Sequence, residues 1–269
     1  MTGRQVRSIP VMGTVASVHV IGTADAAGLD AAVDACADTL HRADRVFSTY
    51  DDASDIRRMA RGELLEEDAD PWVAEVAEGC RRAEIETGGL FDAHLPGFFD
   101  PTGFVKGWAT ERALREHLAP LLLLPGVQAV GLDVGGDLQV RTSPDSDWTW
   151  NIGIVDPADR GRVLATVPLR DGAVATSGSA ERGDHIVDPR RGAPATGIRS
   201  ATVIADSLTR ADVGATAVVV AGNDVSWLPR ATGTSGLLVT VTGSIRRWID
   251  GVTVDVNSRP TTAPLLTPV

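Results

Sequence analysis

The segment Val127–Arg141, with the sequence VQAVGLDVGGDLQVR, marks the point where the character of the chain changes. Two β-rich runs flank Gly135-Gly136, a dipeptide that is typical of a tight hairpin turn. Before this segment apolar residues recur mainly at helical spacing, and after it they fall mainly in short strand-like runs. We therefore expect a helix-rich first half, about residues 1–125, and a strand-rich second half, about residues 126–269.

Four helices are expected. The first has apolar residues at a helical period from Leu29 to Ala43. The second follows Asp70-Pro71, an N-cap and a proline at the first helical position, and continues towards Gly88-Gly89. The third covers residues 104–118. The fourth, from about Thr209 to Ala221, lies within the strand-rich half.

The remaining apolar runs predict strands, and the main ones are Thr14–Ile21, 148–155, 163–169, 173–176, 199–205, 236–242 and 245–254. Helices cluster early and strands late, without regular βαβ alternation. This order favours an α+β fold with a largely antiparallel sheet and packed helices. No repeat or long linker divides the 269 residues, so we expect a single domain over residues 1–269.

Composition excludes several classes of protein. Acidic residues outnumber basic ones 36 to 25, a net charge of −11, so general nucleic-acid binding is not expected. No apolar run approaches the length of a membrane helix, and Met1–Pro10 has no apolar signal region. Cys36 and Cys80 form no CxxC pair and lie on apolar helical stripes, which predicts two buried, reduced thiols and a cytoplasmic protein.

The fourth predicted helix contains Asp212 and Thr216, which are four residues apart and so share one helical face. A carboxylate beside a hydroxyl offers the hard oxygen ligands that Mg²⁺ prefers. The structural alternative is that Asp212 complements the helix dipole while Thr216 packs. The pair alone does not decide between them.

Other polar residues follow turns. Ser177-Gly178 ends an apolar strand, and His185 precedes a turn at Asp188-Pro189, where it could be a base or a structural group. Lys106 lies near the start of the third helix, where an ammonium can neutralise phosphate oxygens. Gly135-Gly136-Asp137 is more typical of a turn than of an anion-binding loop.

Taken in order, nine short motifs resemble the ApbE family of flavin transferases over roughly residues 11–222. They are Met12-Gly13-Thr14; Phe47-Ser48-Thr49-Tyr50 with Ser54; Gly89-Leu90-Phe91-Asp92; Asp100-x-x-Gly103-x-x-Lys106-Gly107; Gly135-Gly136-Asp137; Trp150-x-x-Gly153-Ile154-x-Asp156-Pro157; Thr176-Ser177-Gly178; His185-x-x-Asp188-Pro189-x-x-Gly192; and Ala211-Asp212-x-x-x-Thr216.

The resemblance implies a Mg²⁺-dependent enzyme, with Mn²⁺ as the alternative metal, that takes FAD as substrate. It would move the FMN half of FAD to a Thr or Ser hydroxyl of an acceptor protein and release AMP. It implies Asp212 and Thr216 as side-chain metal ligands and Gly103 as a backbone ligand. The implied FAD-site residues are Met12, Tyr50, Phe91, Asp92, Asp100 and Lys106. His185 would be the base that activates the acceptor hydroxyl, or the group that steadies the transferred phosphate.

Two alternatives to transfer stay open from sequence. With water as acceptor, the same site would be a pyrophosphatase that cuts FAD into FMN and AMP. A non-catalytic FAD-binding or storage protein is the third possibility. Catalysis is favoured over storage by four residues, which are Lys106, His185, Asp212 and Thr216.

Overall fold

The main sheet has nine strands, and helices pack on one of its faces. The structure is a computed structural model and describes residues 3–95, 98–178 and 186–254. The helices are α1 (Ala26–Phe47), α2 (Asp55–Ala60), α3 (Trp72–Thr87), α4 (Thr102–Ala113) and α5 (Leu208–Ala221). A π-helical turn, Leu114–Leu118, and a 3₁₀ turn, Ala119–Leu123, extend α4. Two further 3₁₀ turns cover Glu66–Asp68 and Leu228–Arg230.

The strands are β1 (Arg4–Val11), β2 (Thr14–Gly22), β3 (His94–Leu95), β4 (Phe98–Phe99), β5 (Val127–Val134), β6 (Asp137–Thr142), β7 (Trp150–Asp156), β8 (Asp159–Leu169), β9 (Gly172–Ser177), β10 (Val187–Asp188), β11 (Ala193–Pro194), β12 (Ile198–Ala205), β13 (Ser235–Thr240), β14 (Ile245–Ile249) and β15 (Val252–Val254). The main sheet has the order β1-β2-β5-β6-β9-β12-β13-β14-β15. Strands β3 and β4, β7 and β8, and β10 and β11 form separate ribbons. Every strand pair among the described residues is antiparallel, which confirms the predicted α+β class.

Alternating side chains give the sheet two buried faces, because successive residues of a strand point to opposite sides. In β2, Val18 and Val20 belong to the core under α1, α3 and α4. The next residue, Ile21, packs with Trp150 of β7 on the opposite face. The helices therefore cover one face, and the β7–β8 ribbon covers part of the other.

The predicted hairpin is confirmed. Strands β5 and β6 pair from Val134 and Asp137 outward, and Gly135 and Gly136 both have positive φ, 62° and 94°. Glycine adopts that backbone without the steric cost of a Cβ, which accounts for the Gly-Gly dipeptide. The predicted helices at 104–118 and 209–221 are also found, as α4 with its π extension and as α5.

Three local expectations were incomplete. Strand β1 is not among the predicted strands, because most of its residues are at least partly exposed at the edge of the sheet and give no continuous apolar run. Helix α3 begins at Trp72 and its N-cap is Pro71 rather than Asp70, although the Asp70 carboxylate accepts a hydrogen bond from the Trp72 N–H at 2.9 Å. The strand expected at 245–254 is broken at Asp250, where φ is 48°, and becomes the β14–β15 hairpin.

Helices α4 and α5 approach each other closely at Gly107. A Cβ on Gly107 would lie 2.7 Å from the Leu208 carbonyl oxygen and 3.0 Å from the Asp212 Cβ, so only glycine fits without displacement. This close approach brings Lys106, the neighbour of Gly107, towards Asp212.

Both cysteines are buried and unpaired with each other, as expected. Burial raises the pKa of the Cys36 thiol and that of the Cys80 thiol to about 12. For Cys80, the nearby carboxylates of Asp100 and Asp92 contribute further to the increase.

Within the described residues, no helix has both the length and the apolar character that crossing a membrane requires.

Candidate active site

A cavity of about 170 Å³ lies where α4, α5 and the end of β9 meet. We call it the polar cavity. Its lining residues are Leu90, Phe91, Asp92, Asp100, Thr102, Gly103, Lys106, Gly135, Asp137, Thr176, Ser177, Gly178, Ile186, Val187, Asp212 and Thr216. Residues that are more than 120 positions apart in the chain therefore line the same cavity.

The polar cavity brings together seven of the residues that were singled out from sequence: Phe91, Asp92, Asp100, Gly103, Lys106, Asp212 and Thr216. Met12 and Tyr50 do not line it. The Met12 N–H donates to Asp44 Oδ2 at 3.3 Å, and Tyr50 is 95% exposed. His185 lies outside the described residues.

The three candidate metal ligands, Gly103, Asp212 and Thr216, all line the polar cavity. Asp212 is buried, and its Oδ2 accepts a hydrogen bond from the Gly107 N–H at 3.1 Å. The Thr216 hydroxyl lies 3.4 Å from the Ser177 hydroxyl and 3.7 Å from the position that a Cβ on Gly103 would take. A carboxylate, a hydroxyl and the backbone at Gly103 thus form a set of hard oxygen donors, and this chemistry fits Mg²⁺ or Mn²⁺.

Lys106 lies between two buried carboxylates. Its Nζ contacts Asp137 Oδ2 and lies 3.4 Å from Asp212 Oδ2. The Asp137 side chain is 3% exposed, and its Oδ1 accepts a hydrogen bond from the Thr176 N–H at 2.8 Å. Asp137 therefore joins α4 to the end of β9 and fixes the position of the lysine.

Asp137 is a site residue that sequence reasoning missed, because Gly135-Gly136-Asp137 was read as a turn. The available signal was an acidic residue at the start of β6, two positions before Gln139 and therefore on the same buried face of a central strand. A buried carboxylate needs a charged or hydrogen-bonding partner, and Lys106 is that partner.

The aspartates near the start of α4 are held by local hydrogen bonds. Asp100 Oδ1 accepts from the Thr102 N–H at 3.0 Å and from the Thr102 hydroxyl at 2.6 Å. Asp92 Oδ1 accepts from the His94 N–H at 2.7 Å. Glu84, Asp92 and His94 also form a group whose potential ligand atoms lie within 4.8 Å of one another.

Strand β10, which contains Val187 and Asp188, contributes Val187 to the cavity lining and is held in place through Asp188. The buried Asp188 carboxylate accepts from Arg190 Nε and Nη2, both at 2.9 Å, and Arg190 Nη2 also donates to the Val220 carbonyl oxygen of α5. The hydrogen bonds from the Arg190 guanidinium hold the pKa of the Asp188 carboxyl below its usual value. The turn after Asp188 is therefore attached to α5, the helix that carries Asp212 and Thr216.

The charge of the lining is strongly negative. Asp92, Asp100, Asp137 and Asp212 are four carboxylates, and Lys106 is the one cation among the described lining residues, which gives a formal charge of −3. A phosphate group would be repelled from such a surface unless an additional cation were bound there.

Fold and site together define a class of protein: an antiparallel α+β chain whose cavity presents hard oxygen donors beside a partly buried lysine. The model of the ApbE family matches residues 12–98 and 96–232, so the chain belongs to the ApbE family.

A curated relative matches part of the chain. Over 159 residues the chain is 35% identical to the FAD:protein FMN transferase of Rhodobacter capsulatus. The match covers 54% of this chain and 29% of that protein, so the chain spans less than a third of the relative's length.

Solved structures share the fold over most of both chains. The ApbE protein of Thermotoga maritima has a TM-score of 0.77 at 24% identity, with 91% of this chain and 97% of that chain covered. The apo form of the flavinyl transferase ApbE of Pseudomonas stutzeri has a TM-score of 0.73 at 20% identity, with 91% and 95% covered. The flavin transferase ApbE of Vibrio cholerae has a TM-score of 0.68 at 18% identity, with 92% and 97% covered.

Proposed function

We propose that the chain is a Mg²⁺-dependent flavin transferase that moves FMN from FAD to a Thr or Ser hydroxyl of an acceptor protein and releases AMP. The observation that carries the proposal is the convergence of Gly103, Asp212 and Thr216 beside Lys106 in one cavity. Membership of the ApbE family and the similarity to the Rhodobacter capsulatus enzyme supply the flavin chemistry.

In this reaction the acceptor oxygen forms a new bond to the phosphorus of the FMN half, and the bond from that phosphorus to the bridging oxygen breaks. AMP leaves with the bridging oxygen, and the acceptor hydroxyl loses its proton. Bound Mg²⁺ would supply charge neutralisation at the diphosphate.

The chain's own residues have separate tasks in the proposal. Asp212, Thr216 and the Gly103 carbonyl would hold the metal, and Lys106 would donate hydrogen bonds to phosphate oxygens. Asp137 would orient Lys106, since its carboxylate contacts the ammonium and is itself fixed by the Thr176 N–H. Because the Lys106 side chain would already be held in one conformation, its ammonium would lose little conformational entropy on binding the phosphate.

FAD is larger than the polar cavity, so its rings must lie on surface beyond the phosphate site. We propose that three lining residues, Phe91, Asp92 and, two positions before α4, Asp100, border the bound dinucleotide. Tyr50 is almost fully exposed, so a face of its ring is open to stack on the flavin or adenine. The roles of Tyr50 and Met12 stay predictions.

The decisive experiment incubates the purified protein with FAD and Mg²⁺, with and without lysate of the source cell, and follows AMP, free FMN and in-gel flavin fluorescence. Transfer gives AMP together with a fluorescent protein band that withstands denaturation. AMP with free FMN and no band would indicate the pyrophosphatase, and FAD binding without AMP would indicate storage; either result contradicts transfer.

Asp212→Ala should abolish AMP release, because it removes a carboxylate ligand from the hard-oxygen set. Asp206→Ala is the matched control, since Asp206 lies just before α5 with a side chain that is 79% exposed. Turnover should persist in the control. Wild-type, metal-dependent turnover in Asp212→Ala would exclude Asp212 as a ligand.

We propose His185 as the general base, on the motif that joins it to the anchored turn at Asp188. A positioned base contributes about 10²–10⁴-fold to rate, and an asparagine cannot accept a proton at neutral pH. His185→Asn should therefore keep FAD affinity and lose single-turnover transfer by at least the lower end of that range. A lowered melting temperature with an unchanged rate per folded molecule would remove His185 from the mechanism.

We also propose that residues 1–269 form a single domain, because the main sheet takes strands from both ends of the described chain, β1 to β15. The two buried, reduced thiols favour the cytoplasm as its location.

A further inference from the structure

A second and larger cavity, of about 740 Å³, lies between α3, α5 and the segment that follows α5. We call it the arginine cavity. Val213 and Ala217 of α5 line it, one residue beyond Asp212 and Thr216 of the polar cavity, so the two cavities lie against neighbouring faces of the same helix. Leu90 is the lining residue that they share among the described residues. A volume of 740 Å³ is within the range of sites for small organic ligands.

The interior of the arginine cavity is apolar and aromatic. Phe104, Val213 and Ala217 form one wall. Trp227 and Trp248 form another, with their rings edge to face and the ring centroids 5.6 Å apart. The indole N–H of Trp248 donates to the Thr234 hydroxyl at 3.3 Å, so the polar atom of this almost fully buried ring is satisfied.

The charged residues of this lining are Arg82, Arg210, Arg230 and Glu86, three cations and one anion, a formal charge of +2. That sign is opposite to the charge of −11 of the whole chain and to the −3 of the polar cavity. An apolar interior with a cationic lining is complementary to an anion that has an apolar body.

The three arginines differ in their partners. Arg82 Nη1 lies 3.6 Å from Glu78 Oε1, and Arg210 donates to the Thr232 carbonyl oxygen and lies 3.7 Å from Asp206 Oδ1. Arg230 is exposed and lies over Gly88, with its Nε 3.3 Å from the position that a Cβ there would take. Within residues 3–95, 98–178 and 186–254, no carboxylate forms an ion pair with Arg230.

The N-terminus of α5 also borders the arginine cavity, but its amides are already occupied. The Leu208 N–H donates to Gln139 Oε1 at 2.7 Å, the Thr209 N–H to Glu111 Oε2 at 3.1 Å, and the Arg210 N–H to the Ser207 hydroxyl at 3.2 Å. Recognition of an anion would therefore depend on the guanidinium groups and not on the helix end.

We propose that the arginine cavity is a binding site for a small anionic amphiphile, a molecule with an aromatic or aliphatic body and one carboxylate, sulfonate or phosphate group. The body packs against Trp227, the partly exposed aromatic residue of the lining, and the apolar side chains beside it, and the acid group pairs with Arg230. This site is separate from the one proposed for FAD, and its ligand is not a reactant in flavin transfer.

The test uses 8-anilinonaphthalene-1-sulfonate as the anionic probe and N-phenyl-1-naphthylamine as its neutral counterpart with the same aromatic body. Fluorescence titration of the full chain should show one saturable site for the sulfonate, with energy transfer from tryptophan. Arg230→Gln should weaken sulfonate binding by about tenfold or more, because it removes a charge-assisted hydrogen bond. Affinity for the neutral probe should not change.

Arg115→Gln is the matched control, since Arg115 is an exposed arginine of the π-helical turn and does not line the cavity. It should leave both affinities unchanged, and melting curves would show that both variants fold. Equal affinity for the two probes, or unchanged sulfonate binding in Arg230→Gln, would overturn the proposal. Competitive displacement of the sulfonate by FAD would also overturn it, by assigning the cavity to the FAD site.

Discussion

The contact between Lys106 and Asp137 offers a sharp test of how the polar cavity is organised. Asp137→Asn changes little in shape, and an asparagine oxygen can still accept from the Thr176 N–H. It removes the negative charge that holds Lys106. The ammonium, which already lies 3.4 Å from Asp212 Oδ2, would then pair with Asp212 alone.

Two effects of measurable size should follow. A hydrogen bond to a charged group contributes roughly 1.5–3 kcal/mol. At about 2–4 °C per kcal/mol for a chain of this size, the melting temperature should fall by roughly 3–12 °C. A lysine that competes for Asp212 should also raise the Mg²⁺ concentration needed for half-maximal FAD cleavage, by about 10–100-fold if Asp137 supports the ligand as outer-shell groups do.

Thermal unfolding and Mg²⁺ titration of AMP release measure the two effects on one preparation. Asp133→Asn is the matched control, because Asp133 lies in the same hairpin and its Oδ1 accepts from the Gly136 N–H at 3.1 Å, a bond that asparagine can keep. Its stability should change by less than about 0.5 kcal/mol. An Asp137→Asn variant with wild-type melting temperature and Mg²⁺ dependence would refute the role given to this carboxylate.

Two further predictions concern the parts that hold the polar cavity in place. Gly107→Ala should destabilise the protein by about 1–3 kcal/mol in urea unfolding, because its Cβ would meet the Leu208 carbonyl at 2.7 Å, whereas Gly153→Ala, with its nearest contact at 3.5 Å, should cost less. Asp188→Asn should lower stability at pH 7 by roughly 1.5–3 kcal/mol by removing the charged partner of Arg190. Since folding lowers the pKa of Asp188, its contribution is present above the unfolded pKa and is lost as pH falls through the folded pKa, so the difference between variant and wild type should vanish in unfolding curves at acid pH.

Local signals predicted the elements that depend on local physics. The Gly135-Gly136 dipeptide predicted the hairpin, because the backbone of the turn has positive φ at both positions. The four-residue spacing of Asp212 and Thr216 predicted that both lie on one face of α5. Both features depend on a few consecutive residues and on backbone geometry, so an isolated sequence is sufficient to predict them.

The features that sequence reasoning missed depend on tertiary contacts. The proximity of Asp137 to Lys106 exists because β6 lies beside β9 in the sheet and α4 approaches α5 at Gly107. No pattern near residue 137 shows which helix will cover it. The arginine cavity has the same origin, since Arg82 and Arg230 come from segments nearly 150 residues apart.

The charge of the polar cavity explains why Lys106 and a divalent cation have different tasks in the proposed reaction. The single charge of Lys106 is shared between Asp137 and Asp212, and Asp92 and Asp100 add two more carboxylates to the lining. The lysine alone therefore cannot offset a diphosphate that enters a surface of formal charge −3. A metal cation bound to Asp212 would weaken the ion pair between Asp212 and Lys106. The Lys106 ammonium, still held by Asp137, could then donate a hydrogen bond to the phosphate. On this argument the negative lining makes phosphate binding conditional on the metal, which is how an acidic protein can hold an anionic substrate without a basic patch.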